Sequence, residues 1–148
     1  MKNKEKIAIV SSGGGMKCAW GAGIFYGLFK KNTREPDMIL VSSGSVGAGS
    51  YWLSKQYEEA KSIWLDFVAR KEVENLARFW EILDIDYIVD VLFKKEVPMD
   101  VKKIKNSEID LYVGAINIDT GKIVFFHNKE EENWFQCLKA SMALPLAY

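Results

Sequence analysis

The alternation of apolar and polar positions divides the chain into short strands and amphipathic helices. Residues 7–10 are an apolar, largely β-branched run that stops at Ser11-Ser12-Gly13-Gly14-Gly15, which reads as a strand with a loop at its end. Residues 17–31 follow as a helix. Within it Ala19, Gly23 and Gly27 recur every fourth residue, so one face is nearly bare and is expected to approach a sheet closely, with Trp20, Ile24 and Leu28 filling the neighbouring face. The polar connection at residues 33–37 contains Pro36, which ends any helix, and the apolar run 38–41 is a second strand. Strand, loop, helix and strand in this order open a parallel sheet.

Farther on, Tyr57, Ala60, Trp64, Phe67 and Val68 fall at helical spacing, as do Val73, Leu76, Ala77, Trp80 and Leu83. Core packing accounts for this Trp and Phe stripe better than contact with lipid, because such stripes are ordinary on buried helices. Residues 84–93 read as a short helix, and Pro98 with the Lys102, Lys103 and Lys105 cluster as a solvated segment. Residues 109–118 and 122–127 are strand-like, joined by the hairpin loop Asp119-Thr120-Gly121 with glycine where positive φ is expected. Residues 130–142 are helical, and Pro145 closes that helix. The mixed order gives an α/β layered fold in one domain, without internal repeats or linkers.

Composition narrows the function classes. The 148 residues are 49% hydrophobic, enough for one domain with a core. Twenty acidic and twenty basic residues balance, which argues against nucleic acid as a partner. The lysines of the first six residues precede an apolar run too short for a signal peptide or a membrane span, so a cytoplasmic protein is expected. Cys18, Cys137 and the single histidine, His127, have no metal-type spacing; free thiols, no metal and no disulfide are expected. The apolar run 143–148 has no polar tail, and the expectation is that the chain is the N-terminal piece of a longer protein.

Two small-residue junctions carry candidate chemistry. Ser43-Gly44-Ser45-Val46-Gly47 approximates Gly-x-Ser-x-Gly, with Ser43 in place of the first glycine, Ser43, Gly44 and Gly47 as small supports, and Ser45 at the point of a strand-to-helix turn as the candidate nucleophile. Such a turn lifts Oγ off the backbone and offers helix N-terminal N–H groups to an oxyanion. The loop Gly13-Gly14-Gly15 can point its own N–H groups at an anion, as an oxyanion hole or a phosphate site. Residues 13–18 also match the dinucleotide pattern Gly-x-Gly-x-x-Gly except that Cys18 replaces the last glycine, so a Rossmann-like nucleotide-binding module is the rival reading, and a non-catalytic fragment a third. Both loops follow consecutive strands of one parallel unit and are expected side by side at its carboxyl edge.

Four stretches in order resemble the patatin-like phospholipases, the bacterial branch in particular: residues 12–18, residues 43–48, Asn117-Ile118-Asp119-Thr120-Gly121-Lys122, and Ala140-Ser141-Met142-Ala143-Leu144-Pro145-Leu146-Ala147-Tyr148. Lys17 stands where the family has arginine or lysine, and Cys18 replaces a common glycine. The resemblance implies a three-layer fold with a central, mostly parallel sheet flanked by helices, incomplete at the C-terminus. It implies a serine lipid acyl hydrolase using a Ser–Asp dyad, no cofactor, and a lipid or ester substrate, and leaves peripheral membrane contact open. On this reading Ser45 is the nucleophile, and Gly13, Gly14, Gly15 and the Val46 N–H form the oxyanion hole. The dyad aspartate belongs to an Asp-Gly-Gly or Asp-Gly-Ala motif that these residues lack, so the chain alone is expected to be nearly inactive and to self-associate through surface left uncovered. Asp119 belongs to its hairpin turn and His127 to a strand end, and neither is taken as the base.

Overall fold

The computed structural model describes residues 5–68 and 84–143; the helix expected around Val73 to Leu83 and the closing Pro145 lie outside them. Four strands form one sheet in the order β1 (Ala8–Ser11), β2 (Met38–Ser42), β3 (Asp110–Ile116) and β4 (Ile123–His127). The first three are parallel, with Ser11 opposite Val41 and Ser42 opposite Gly114, and β4 returns antiparallel to β3. The expected α/β sheet is therefore present, mostly parallel with one hairpin edge.

Around it lie α1 (Cys18–Lys30), α2 (Val46–Leu53), α3 (Tyr57–Ser62) continued by a π-helical segment Ile63–Phe67, a π-helix Tyr87–Glu96, α4 (Val101–Lys105) and α5 (Trp134–Met142). Strand periodicity sets the layers. Ile39, Val41, Leu111 and Val113 are fully buried and join Tyr51, Val89, Leu92, Trp134 and Leu138 in one core. The alternate positions Leu40, Gly114 and Ile116, with Ile123 and Phe125 of β4, face an open recess instead.

The bare face expected on the first helix is not the one that packs. A Cβ at Gly23 or Gly27 would meet nothing within 4 Å, and Trp20 and Ile24 are 82% and 62% exposed. The helix docks through aromatic side chains, Phe25 against Trp52 and Phe29 stacked on Tyr57, because rings bury more area than a glycine groove. Close approach belongs to α2, where a Cβ at Gly49 would lie 2.9 Å from Val41 Cγ1. The lysine-rich segment exposes Lys102 and Lys103 and forms the one-turn helix α4, because the Asp100 carboxylate accepts from Lys103 N–H and Ile104 is wholly buried beneath the lysines. The hairpin loop is as expected, with Gly121 at φ 66°. Its turn is built by Asn117, whose Oδ1 accepts from the N–H groups of Asp119 and Thr120 and from the Thr120 hydroxyl.

Helix α5 begins at Trp134, where Asn133 caps it. Its Lys139 is clamped by Asp86 and, at 2.6 Å, by Asp90 of the following π-helix. Burial pulls the ammonium down, but these carboxylates outweigh it and hold Lys139 above its ordinary range. Hydrogen bonds from Lys139 and Lys94 hold the Asp90 carboxyl below its own range. A carboxylate depressed on folding contributes stability that is complete above the unfolded pKa and disappears as pH falls through the folded one. Between about pH 4 and pH 2 the urea midpoint should therefore fall more steeply for the native chain than for Asp90→Asn. The difference should be below about 1 kcal/mol, because Asp90 is 40% exposed. Equal slopes would show that the clamp adds nothing.

Candidate functional site

The glycine loop and the strand-to-helix turn leave neighbouring parallel strands, so both emerge at one carboxyl edge of the sheet, where open α/β sheets bind ligands. They touch. A Cβ at Gly13 would lie 2.7 Å from Ser43 Cβ, and one at Gly44 would lie 2.9 Å from Gly15 O and 3.0 Å from Cys18 Sγ. Only glycine allows the two loops this close.

Strand β2 runs through Ser42, one residue beyond its apolar run, and a 3-10 turn Ser43–Ser45 leads into α2. Ser43 makes the turn. Its φ of 51° lies in the left-handed region, which costs a residue with a side chain about 1–2 kcal/mol. Its N–H donates to Ser141 Oγ at 2.9 Å, and its own hydroxyl has no hydrogen-bond partner among the described residues. Together with Gly14, Gly15 and Gly44 it lines a cavity of about 330 Å³. Among the described residues the remaining walls, including Tyr51, Ile63, Trp64, Val68, Phe93 and Met142, carry no charge.

Ser45 is placed differently. It is already helical, at φ −83°, and 1% exposed. Its Oγ donates to Ser12 O at 2.9 Å and lies 3.0 Å from Ser11 Oγ, so it faces the end of β1 and does not line the cavity. The geometry corrects the expectation that Ser45 stands at the point of the turn. The sharp bend follows the last strand residue, and that residue is Ser42.

The expected anion donors also divide. Gly13 N–H donates to Ser42 Oγ at 3.0 Å, and Val46 N–H donates to Ser43 O, so neither is free. The N–H groups of Gly14, Gly15 and Gly44 have no acceptor among the described residues. All three of these residues line the cavity. Gly44, read from the sequence as a turn support, thus gains a second possible use. A Cβ at Gly47 would meet the Phe93 ring at 3.0 Å, so this glycine packs against the cavity wall.

Other reactive groups lie elsewhere. His127 pairs across the hairpin with Tyr112 and contacts Asp110 and Glu130, away from the turn. The Asp119 carboxylate is exposed on the hairpin loop. Cys18 is buried under the glycine loop, 3.7 Å from Ser12 O. Cys137 is buried and its thiol is pushed up to about 12, chiefly by burial, which keeps it un-ionised. Among the described residues no cluster could hold a metal ion, and no helix is long and apolar enough to cross a membrane. Ser141, noted in the sequence only within a family-like stretch, is the site residue whose role no sequence signal revealed.

A comparison with curated proteins gives no match. A family profile described as patatin-like phospholipase matches residues 9–148, which includes the glycine loop, the turn at Ser43 and α5. On that match the chain belongs to the patatin-like phospholipase family, a family of lipid acyl hydrolases.

Proposed function

We propose that the protein is a serine hydrolase of lipid carboxylic esters with Ser43 as its nucleophile. The observation that carries this reading is Ser43 itself: a left-handed residue at the strand-to-helix turn, sharing a cavity whose described walls carry no charge with three N–H groups that have no acceptor among the described residues. Ser43 Oγ attacks the acyl carbonyl while a general base takes its proton. The negative oxygen is held by the Gly14, Gly15 and Gly44 N–H groups. The leaving alcohol takes the proton back from the base, and water activated by the same base releases the acid from the acyl-enzyme. The resemblance to the family makes the base the aspartate of a Ser–Asp dyad; no described carboxylate or imidazole hydrogen-bonds to Ser43. The apolar cavity suits an acyl chain.

A nucleotide-binding module is less well supported, because among the described residues no cationic side chain lines the cavity beside the glycine loop to meet a pyrophosphate. Fluorophosphonate labelling of the intact gene product, followed by peptide mapping, tests the proposal. One adduct on the peptide containing Ser43 is expected. A folded protein that takes no adduct, yet binds a dinucleotide saturably, would replace the hydrolase reading with the nucleotide one.

A further inference from the structure

The β2–β3 register closes at Ser42 opposite Gly114. The next bond of that ladder would run from Ser43 N–H to the Gly114 carbonyl, but the chain has already turned into the left-handed region at Ser43. The hydroxyl of Ser141 stands between the two groups. It accepts from Ser43 N–H at 2.9 Å and donates to Gly114 O at 2.6 Å, so one side chain satisfies the donor and the acceptor that the turn separates.

We infer that Ser141 is a positioning residue for the nucleophile: its hydroxyl replaces the missing ladder bond and holds Ser43 at the carboxyl edge of β2. The inference rests on the reading of Ser43 as nucleophile. Two features support it. The hydroxyl commits its one hydrogen to Gly114 O and a lone pair to Ser43 N–H, so it has no proton left to donate to substrate, and it sits in the last turn of α5, which Lys139 ties to the π-helix that supplies a cavity wall. The turn is thus held from β3 and α5 together. Ser141 also occupies the amide of Ser43, so the oxyanion donors are the neighbouring Gly14, Gly15 and Gly44 N–H groups rather than the nucleophile's own.

The test compares native protein, Ser141→Ala and Ser141→Thr as intact gene products, measuring three quantities: the second-order rate of fluorophosphonate labelling at Ser43, kcat and KM on a short-chain 4-nitrophenyl ester, and hydrogen exchange of the Ser43 amide. Ser141→Ala should lower the labelling rate and kcat roughly 10- to 100-fold, the size of effect that a small misplacement of a reacting group produces. KM should change less than about twofold, because the cavity is untouched. The Ser43 amide should exchange faster in Ser141→Ala, and Ser141→Thr, which keeps a hydroxyl, should restore rate and protection to within a few-fold. Labelling of Ser141→Ala at the native rate would overturn the inference, as would a Ser141→Thr variant as slow as Ser141→Ala with an equally unprotected amide. If the native protein never labels at Ser43, the nucleophile reading and the positioning role both fail. Amide exchange still tells the cases apart, since a lost protection in Ser141→Ala would leave a purely structural clamp.

Discussion

Ser43→Ala is expected to abolish the fluorophosphonate adduct and to lower ester hydrolysis by about 1,000-fold or more, whereas Ser45→Ala should retain both within a few-fold. The two serines are two residues apart, yet their surroundings differ in every respect that nucleophilic chemistry requires. Ser43 lines the cavity, and among the described residues its hydroxyl has no hydrogen-bond partner to displace. Ser45 is closed off from the cavity, with its hydroxyl held between Ser12 O and Ser11 Oγ. For Ser45 to attack a carbonyl, both contacts would have to break and the buried hydroxyl would have to reach the cavity. Its loss should instead appear as stability, about 1 kcal/mol for a buried hydroxyl that bonds β1 to the turn. Purified variants compared by labelling, initial rates and urea midpoints separate the two effects. An inactive, normally folded Ser45→Ala beside an active Ser43→Ala would return the nucleophile to Ser45.

The difference between these serines marks how far the sequence could be read. The β-branched runs, the Pro36 stop and the glycine loop were enough to give a parallel unit with two loops at one edge, because strand periodicity and helix stops are local signals. The hairpin at Asp119-Thr120-Gly121 was legible for the same reason. What the sequence concealed depended on where a strand ends. The apolar run stops at Val41, but β2 continues through Ser42, since a serine can complete a ladder as well as a valine. That residue moves the turn from Ser45 to Ser43; of the expected donors Gly13 and Val46 are engaged, Gly14 and Gly15 have no acceptor among the described residues, and Gly44 joins them. The glycine spacing on α1 misled in a similar way. Periodicity identifies a face but not its partner, and aromatic contacts of α1 with Trp52 and Tyr57 decide which face is buried. Ser141 was beyond reach, because its two partners lie 98 and 27 residues away along the chain.

Gly44→Ala is the second substitution expected to have a large effect, and its cause is distinct from loss of the nucleophile. The added methyl would lie 2.9 Å from Gly15 O, 3.0 Å from Cys18 Sγ and 3.2 Å from Cys18 Cβ, all closer than ordinary contact. None of these neighbours yields cheaply. Gly15 is at φ 55° at the start of its turn, and Cys18 is buried as the first residue of α1. The strain should therefore push the glycine loop away from the turn and move the Gly14 and Gly15 N–H groups apart from that of Gly44. Losing the alignment of an oxyanion site costs about 100- to 1,000-fold in kcat, and overpacking of this kind costs about 1–3 kcal/mol of stability. Gly47→Ala is the control. Its methyl would meet only the end of the Phe93 ring, at 3.0 Å on the cavity wall, so KM should change more than kcat. Adding Cys18→Ala to Gly44→Ala removes the sulfur but not the Gly15 carbonyl, so the double variant should remain slow. Labelling of Gly44→Ala at the native rate would mean that the two loops do not act as one site. A double variant restored to native activity would place the whole clash on the Cys18 side chain and leave the Gly15 carbonyl free to move.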